Sequence, residues 1–197
     1  MKKWIVGAAS ICLVTAGVAA FIPGRVIKTI SVTTMHSVGD SLDALNGVPV
    51  YYNGIVYSES YGSHYAADGY YYGKQWQCVE YIKRYYHDRL HHNMPDVYGH
   101  AKEFYDVNVQ HGELNKARNL YQYRNGGNEA PKPDDLLVFT RHKYGHVAIV
   151  SKVNADAIEI VQQNILGKSR DTLSLKKAVG HYTIGDDWQP AGWLRKQ

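Results

Sequence analysis

At 197 residues, 45% hydrophobic and 20% charged, the chain has the composition of an ordinary globular protein and the length for one sizeable core rather than two. A formal charge of +4 without a long block of Lys and Arg argues against a nucleic-acid partner, and is equally compatible with an anionic polymer or a membrane surface. Of the two cysteines, Cys12 lies in an apolar N-terminal run, so Cys78 stands alone in the body and an intramolecular disulfide is excluded there.

Met1-Lys2-Lys3 precedes an uncharged run over 4–22, closed by Pro23-Gly24-Arg25. A short basic start, an apolar segment and the small residues Gly17, Ala19 and Ala20 predict a signal peptide or N-terminal membrane anchor over 1–24. The run is near the length that spans hydrocarbon, so cleavage stays open. The basic end stays inside, which places the body outside the cytoplasm, either periplasmic or anchored in the inner membrane through residues 4–22. A buried N-terminal helix is the structural alternative. Ile11 before Cys12 does not suit lipid attachment.

Residues 25–47 read as a stem or lead-in, and 48–197 as the folded domain. Asn46-Gly47 and Asn53-Gly54 mark turns around short pieces at 48–52 and 55–57, which read as strands or as loops packed through tyrosines. Residues 61–73, rich in Tyr and Gly without a period, read as a loop lining a site. Val79, Ile82, Tyr86 and Leu90 then recur at helical spacing, predicting an amphipathic helix over 75–90 with Cys78 in its first turn. Further helices are expected over 99–105 and around 113–121. Strand periodicity follows at 136–140, 145–153 and 157–163, the last two joined by a hairpin at 154–156. Residues 183–184 and 192–194 offer closing strands. The pattern predicts an α+β fold, with N-terminal helices packed on a small antiparallel sheet.

Cysteine attacks as thiolate, and a helix start favours that charge through its free backbone N–H groups. The same groups would steady an oxyanion, with Gln75 and Gln77 as neutral helpers. Among the ten histidines, His146 differs by opening the apolar run Val147-Ala148-Ile149-Val150. It reads as a base held at a strand edge, or else as an edge residue satisfied by backbone. In the hairpin, residue 164 falls roughly opposite 146 with 162 nearby, so Gln162 or Asn164 is placed to orient the imidazole. His87, His91 and His92 do not complete a metal-ligand set, and the glycine loops lack a phosphate-cradling pattern.

Four blocks together carry a resemblance: Tyr72-Gly73-Lys74-Gln75-Trp76-Gln77-Cys78-Val79-Glu80-Tyr81, Pro133-Asp134-Asp135-Leu136-Leu137-Val138-Phe139, Gly145-His146-Val147-Ala148-Ile149-Val150, and Ile160-Val161-Gln162-Gln163-Asn164. Over about 48–195 the chain resembles the CHAP amidase and endopeptidase family of the papain-like NlpC/P60 group. Its flavour is that of the amidase domain of glutathionylspermidine synthetase/amidase. The resemblance implies Cys78 as nucleophile, His146 as general base and no metal or organic cofactor. It leads one to expect a glutamate where Gln162 stands, while the asparagine two residues on, Asn164, is kept.

An exported enzyme of this type is expected to cut peptide or amide bonds in peptidoglycan. Gln75, Gln77, Tyr72 and Tyr144 are the candidate substrate-binding residues. Two rival expectations stand beside it. One is hydrolysis of a small glutathionyl-polyamine amide, against which the export signal argues. The other is a catalytically weak wall-binding protein, suggested by the missing carboxylate at 162.

Overall fold

The computed structural model describes residues 36–166 and 168–197. The export or anchor segment at 1–24 and residues 25–35 of the lead-in lie outside the described residues. No helix among the described residues is long and apolar enough to cross a membrane.

Two small hairpins precede Cys78. β1 (Ser41–Leu45) pairs with β2 (Val48–Tyr51), and β3 (Ser63–Tyr65) with β4 (Tyr71–Lys74), both antiparallel. α1 follows at Cys78–Leu90. Its stripe of Tyr81, Ile82, Tyr85 and Tyr86 is fully buried, which is the burial that holds a helix of this length in place. It ends at His91, whose left-handed backbone (φ 50°) turns the chain away.

The remainder is chiefly sheet. β5 (Glu113–Asn115), β6 (Leu120–Arg124), β7 (Leu136–Phe139), β8 (His146–Val153), β9 (Ala157–Val161), β10 (Arg170–Ala178), β11 (His181–Ile184) and β12 (Gly192–Arg195) form one eight-stranded sheet. Its order is β11-β10-β9-β8-β7-β12-β6-β5, and every neighbouring pair is antiparallel. Side chains alternate between two cores. Leu136, Val138, Val147, Ile149, Val161 and Leu194 face α1, together with Cys78. Leu137, Phe139, Ala148, Val150, Ile160 and Trp193 fill the other face. The chain after β6 reaches β11: the Gly126 N–H donates to the Tyr182 carbonyl and the Tyr182 N–H to the Gly127 carbonyl, each at 2.8 Å. The sheet therefore curls around its second core.

This overturns the expected arrangement of N-terminal helices on a small sheet. α1 is the one α-helix among the described residues, and the sheet has eight strands. Residues 99–105 make only a 3-10 turn, Ala101–Phe104. The stretch near 113–121 is a hairpin instead of a helix, because Asn119 takes a left-handed turn (φ 53°) and Leu120 and Gln122 alternate inward as strand residues. Residues 61–73, expected as loop, contribute β3 and the start of β4. Residues 55–57 form no strand. β10 also enlarges the sheet; its alternating buried Leu173 and Leu175 lie within a charged, polar segment.

Candidate active site

Cys78 is the first residue of α1, and Gln77 before it is extended (φ −75°, ψ 157°) with no side-chain cap. The first-turn N–H groups are therefore not covered by a capping side chain. The thiol is free and buried. Burial pushes it up to about 11, against the opposing pull of the backbone N–H groups of Val147, Val79 and Cys78 itself. The N–H of Val147 belongs to the residue that follows His146, so the start of β8 lies against the start of α1.

His146 opens β8 at a position that only glycine can precede. Gly145 has φ +73°, and a Cβ there would sit 2.5 Å from the Lys102 nitrogen and 2.6 Å from the Phe139 carbonyl oxygen. The imidazole lies near Phe139 and Trp188, whose rings stack on each other at 4.0 Å. Burial holds its pKa down at about 4, only partly countered by Gln162.

Gln162 Oε1 lies 3.0 Å from His146 Nε2, while Gln162 Nε2 donates to the Lys168 carbonyl at 3.3 Å. That second bond fixes which end of the amide faces the ring. An amide oxygen can only accept, so Nε2 carries the proton and Nδ1 presents a lone pair. A neutral imidazole in this tautomer is a base at Nδ1 and an anchored donor at Nε2.

Asn164 takes a different place. Its left-handed backbone (φ 66°) breaks the strand alternation, and its Nδ2 donates to Gln77 Oε1 and to the Tyr57 carbonyl, both at 2.8 Å. Gln77 Nε2 donates to the carbonyls of Tyr57, at 3.2 Å, and Glu59. Both ends of the Gln77 side chain are thus occupied in holding a loop. Gln75 is tied through its backbone, accepting from the Tyr61 N–H and donating to the Gly62 carbonyl. Tyr72 points along α1, donating at 2.5 Å to Asp88 Oδ1. Tyr144 is half-buried two residues before His146; its ring lies beside His100 and its carbonyl accepts from the Lys102 N–H. The structure therefore joins His146 to Gln162, sets the Val147 N–H against the Cys78 thiol, joins Gln77 to Asn164, and directs Tyr72 elsewhere. Of the closely spaced histidines, His87 bonds Asp68 and Asp88, and His92 the Arg118 carbonyl.

Two features escaped the sequence reading. Trp188, in a segment without periodicity, gave no signal. The second is a buried cluster behind the helix start. Gln163 Nε2 donates to Glu80 Oε2 at 2.7 Å and to the Gln77 carbonyl at 3.1 Å, and Arg84 donates to Glu80 at 2.6 Å. Burial alone would raise the Glu80 carboxyl, but hydrogen bonds from His64 and Arg84, the Arg84 charge and Gln163 hold it below its ordinary range. The cluster ties the end of β9, which carries Gln162, to the turn of α1 that carries Cys78. Its signals were the four-residue spacing of Glu80 and Arg84 and the strand alternation that turns Gln163 opposite to Gln162.

Residues 67–164 match the CHAP domain family, a span that contains Cys78, His146, Gln162 and Asn164. The chain is similar to trypanothione synthetase of Crithidia fasciculata, 28% identical over 136 residues, 62% of this chain and 21% of that protein. It is similar also to the bifunctional glutathionylspermidine synthetase/amidase of Escherichia coli (strain K12), 28% identical over 142 residues, 64% of this chain and 23% of that protein. The match thus spans between a fifth and a quarter of the length of these curated relatives. A CHAP domain implies amidase or peptidase activity.

Proposed function

We propose, from the premise that this chain carries a CHAP domain over residues 67–164, that it hydrolyses amide bonds in peptidoglycan with Cys78 as nucleophile and His146 as base. The observation that carries the chemistry is the Gln162–His146 hydrogen bond, which leaves Nδ1 unprotonated on the residue beside the strand N–H that faces the thiol. The choice of peptidoglycan rests on the apolar run at 4–22, read as an export signal or anchor.

Burial favours the uncharged forms of both groups, a thiol on Cys78 and a neutral imidazole on His146. In the proposed reaction Nδ1 takes the Sγ proton as sulfur bonds to the amide carbon, so the two charges arise together and stabilise each other. First-turn N–H groups of α1 hold the carbonyl oxygen as it becomes an oxyanion. Nδ1–H then protonates the departing nitrogen as the carbon–nitrogen bond breaks, leaving a thioester on Cys78. Water gives a proton to Nδ1 and attacks the thioester. The acid departs, and the proton returns to sulfur.

A second reading is favoured by the similarity to the glutathionylspermidine synthetase/amidase: cleavage of a small amide of glutathione and a polyamine by the same residues. The purified chain, incubated separately with peptidoglycan fragments and with glutathionylspermidine, distinguishes the two. Mass spectrometry is expected to show new amine and carboxyl ends in the peptidoglycan products. Release of spermidine with untouched peptidoglycan would replace the first reading by the second.

A further inference from the structure

Exposed apolar side chains gather beside the start of α1. Ile55 is 78% exposed, Val56 42%, Tyr57 66%, and Leu166, on the loop after β9, 66%. Isolated exposed apolar residues need no explanation, but a grouped set adjoining a site does. The grouping follows from bonds already described. Asn164 Nδ2 donates to the Tyr57 carbonyl and to Gln77 Oε1, and Gln77 Nε2 donates to the carbonyls of Tyr57 and Glu59. Asn53 reinforces the loop, donating to the Glu59 carbonyl at 3.2 Å and accepting from the Trp76 N–H at 2.7 Å. Main-chain atoms of this loop are thus fixed to the residue immediately before Cys78, while its side chains are left to solvent.

We infer that the loop over 54–59, with Leu166, is a specificity-determining rim that receives an apolar side chain of the peptide substrate next to the scissile amide. The inference rests on the amide-hydrolase reading above. The main chain of this loop is anchored to the side chain of the residue before Cys78, and that continuity with the proposed site points to the substrate as its occupant. Ile55, Val56 and Leu166 are aliphatic and Tyr57 presents a ring face; the one carboxylate of the loop, Glu59, accepts from the Tyr61 hydroxyl at 3.1 Å. Asn164 and Gln77 act here as positioning residues: they set where the rim stands relative to the sulfur.

The test uses the full chain and two peptide amides that differ only in carrying leucine or serine beside the cleaved bond. The wild type is expected to prefer the leucine substrate by about tenfold in kcat/KM, chiefly through KM, as one well-placed apolar contact gives. The double substitution Ile55→Ser/Tyr57→Ser should abolish that preference without shifting the thermal midpoint. Val107→Ser, at a site 85% exposed on another loop, should leave the preference intact. A preference retained in the double variant, or absent from a wild type that does turn over both peptides, overturns the rim and spares the enzyme. No hydrolysis of either peptide by the wild type overturns both readings. Retained preference with weakened binding of the double variant to phospholipid vesicles overturns the rim and reassigns the patch to a lipid surface.

Discussion

Position 162 holds a neutral amide where the family resemblance leads one to expect a carboxylate. Gln162 orients the ring but brings no charge to balance an imidazolium, so burial dominates and His146 stays neutral, with its pKa down at about 4. The linkage consequence has a definite sign. An unfolded histidine takes up a proton near pH 6.5 and the folded one does not. The stability this group contributes is therefore fully present above that pH and falls away as the pH drops toward 4, by up to about 3 kcal/mol. His92 is shifted in the same direction by burial and His87 in the opposite one by Asp88 and Asp68, so a variant must isolate the effect. Gln162→Glu supplies the missing charge and raises the imidazole pKa. Urea midpoints between pH 7.5 and 5 should fall less steeply in this variant than in the wild type, with turnover preserved or raised. Equal slopes, or a folded variant without activity, would deny Gln162 its proposed role beside His146.

The elements differ in how plainly the sequence announces them. α1 declares itself through four apolar residues at helical spacing, and β8 and β9 through a hairpin whose alternation sets Gln162 near His146. The error around 113–121 has a local cause: the left-handed turn at Asn119 divides two short strands that together mimic a helical stretch. The choice between Gln162 and Asn164 was likewise open at the level of period, because a backbone angle at Asn164, not its register, turns that side chain toward Gln77. Gly145 illustrates an element held by a close approach. Its φ of +73° and the 2.5 Å to the Lys102 nitrogen leave no space for a methyl group. Gly145→Ala is expected to cost about 2 kcal/mol or more in denaturant titration and to lower kcat as the start of β8 shifts. A variant as stable and as active as the wild type would show that β8 is not positioned there.

Across the whole molecule, Cys78 and His146, proposed as nucleophile and base, stand out in the sequence because each sits at the first residue of a strongly patterned element. The scale of the sheet was not, since its added strands β5, β6 and β10 are short or charged and are stabilised by pairing across the fold more than by their own pattern. Pairing also explains the buried cluster: Gln163, Glu80 and Arg84 meet only when β9 lies against α1. Curling the sheet places one core against the helix and a second on its far side, so that both groups stand where elements from distant parts of the chain meet.

The most direct measurement is the mass of the Cys78 peptide after the chain is quenched in acid during turnover of a peptide amide. The predicted result is that this peptide is heavier by the acyl part of the substrate, and that Cys78→Ala shows neither the adduct nor turnover while keeping the wild-type thermal midpoint. Turnover that persists in Cys78→Ala would contradict the proposed mechanism.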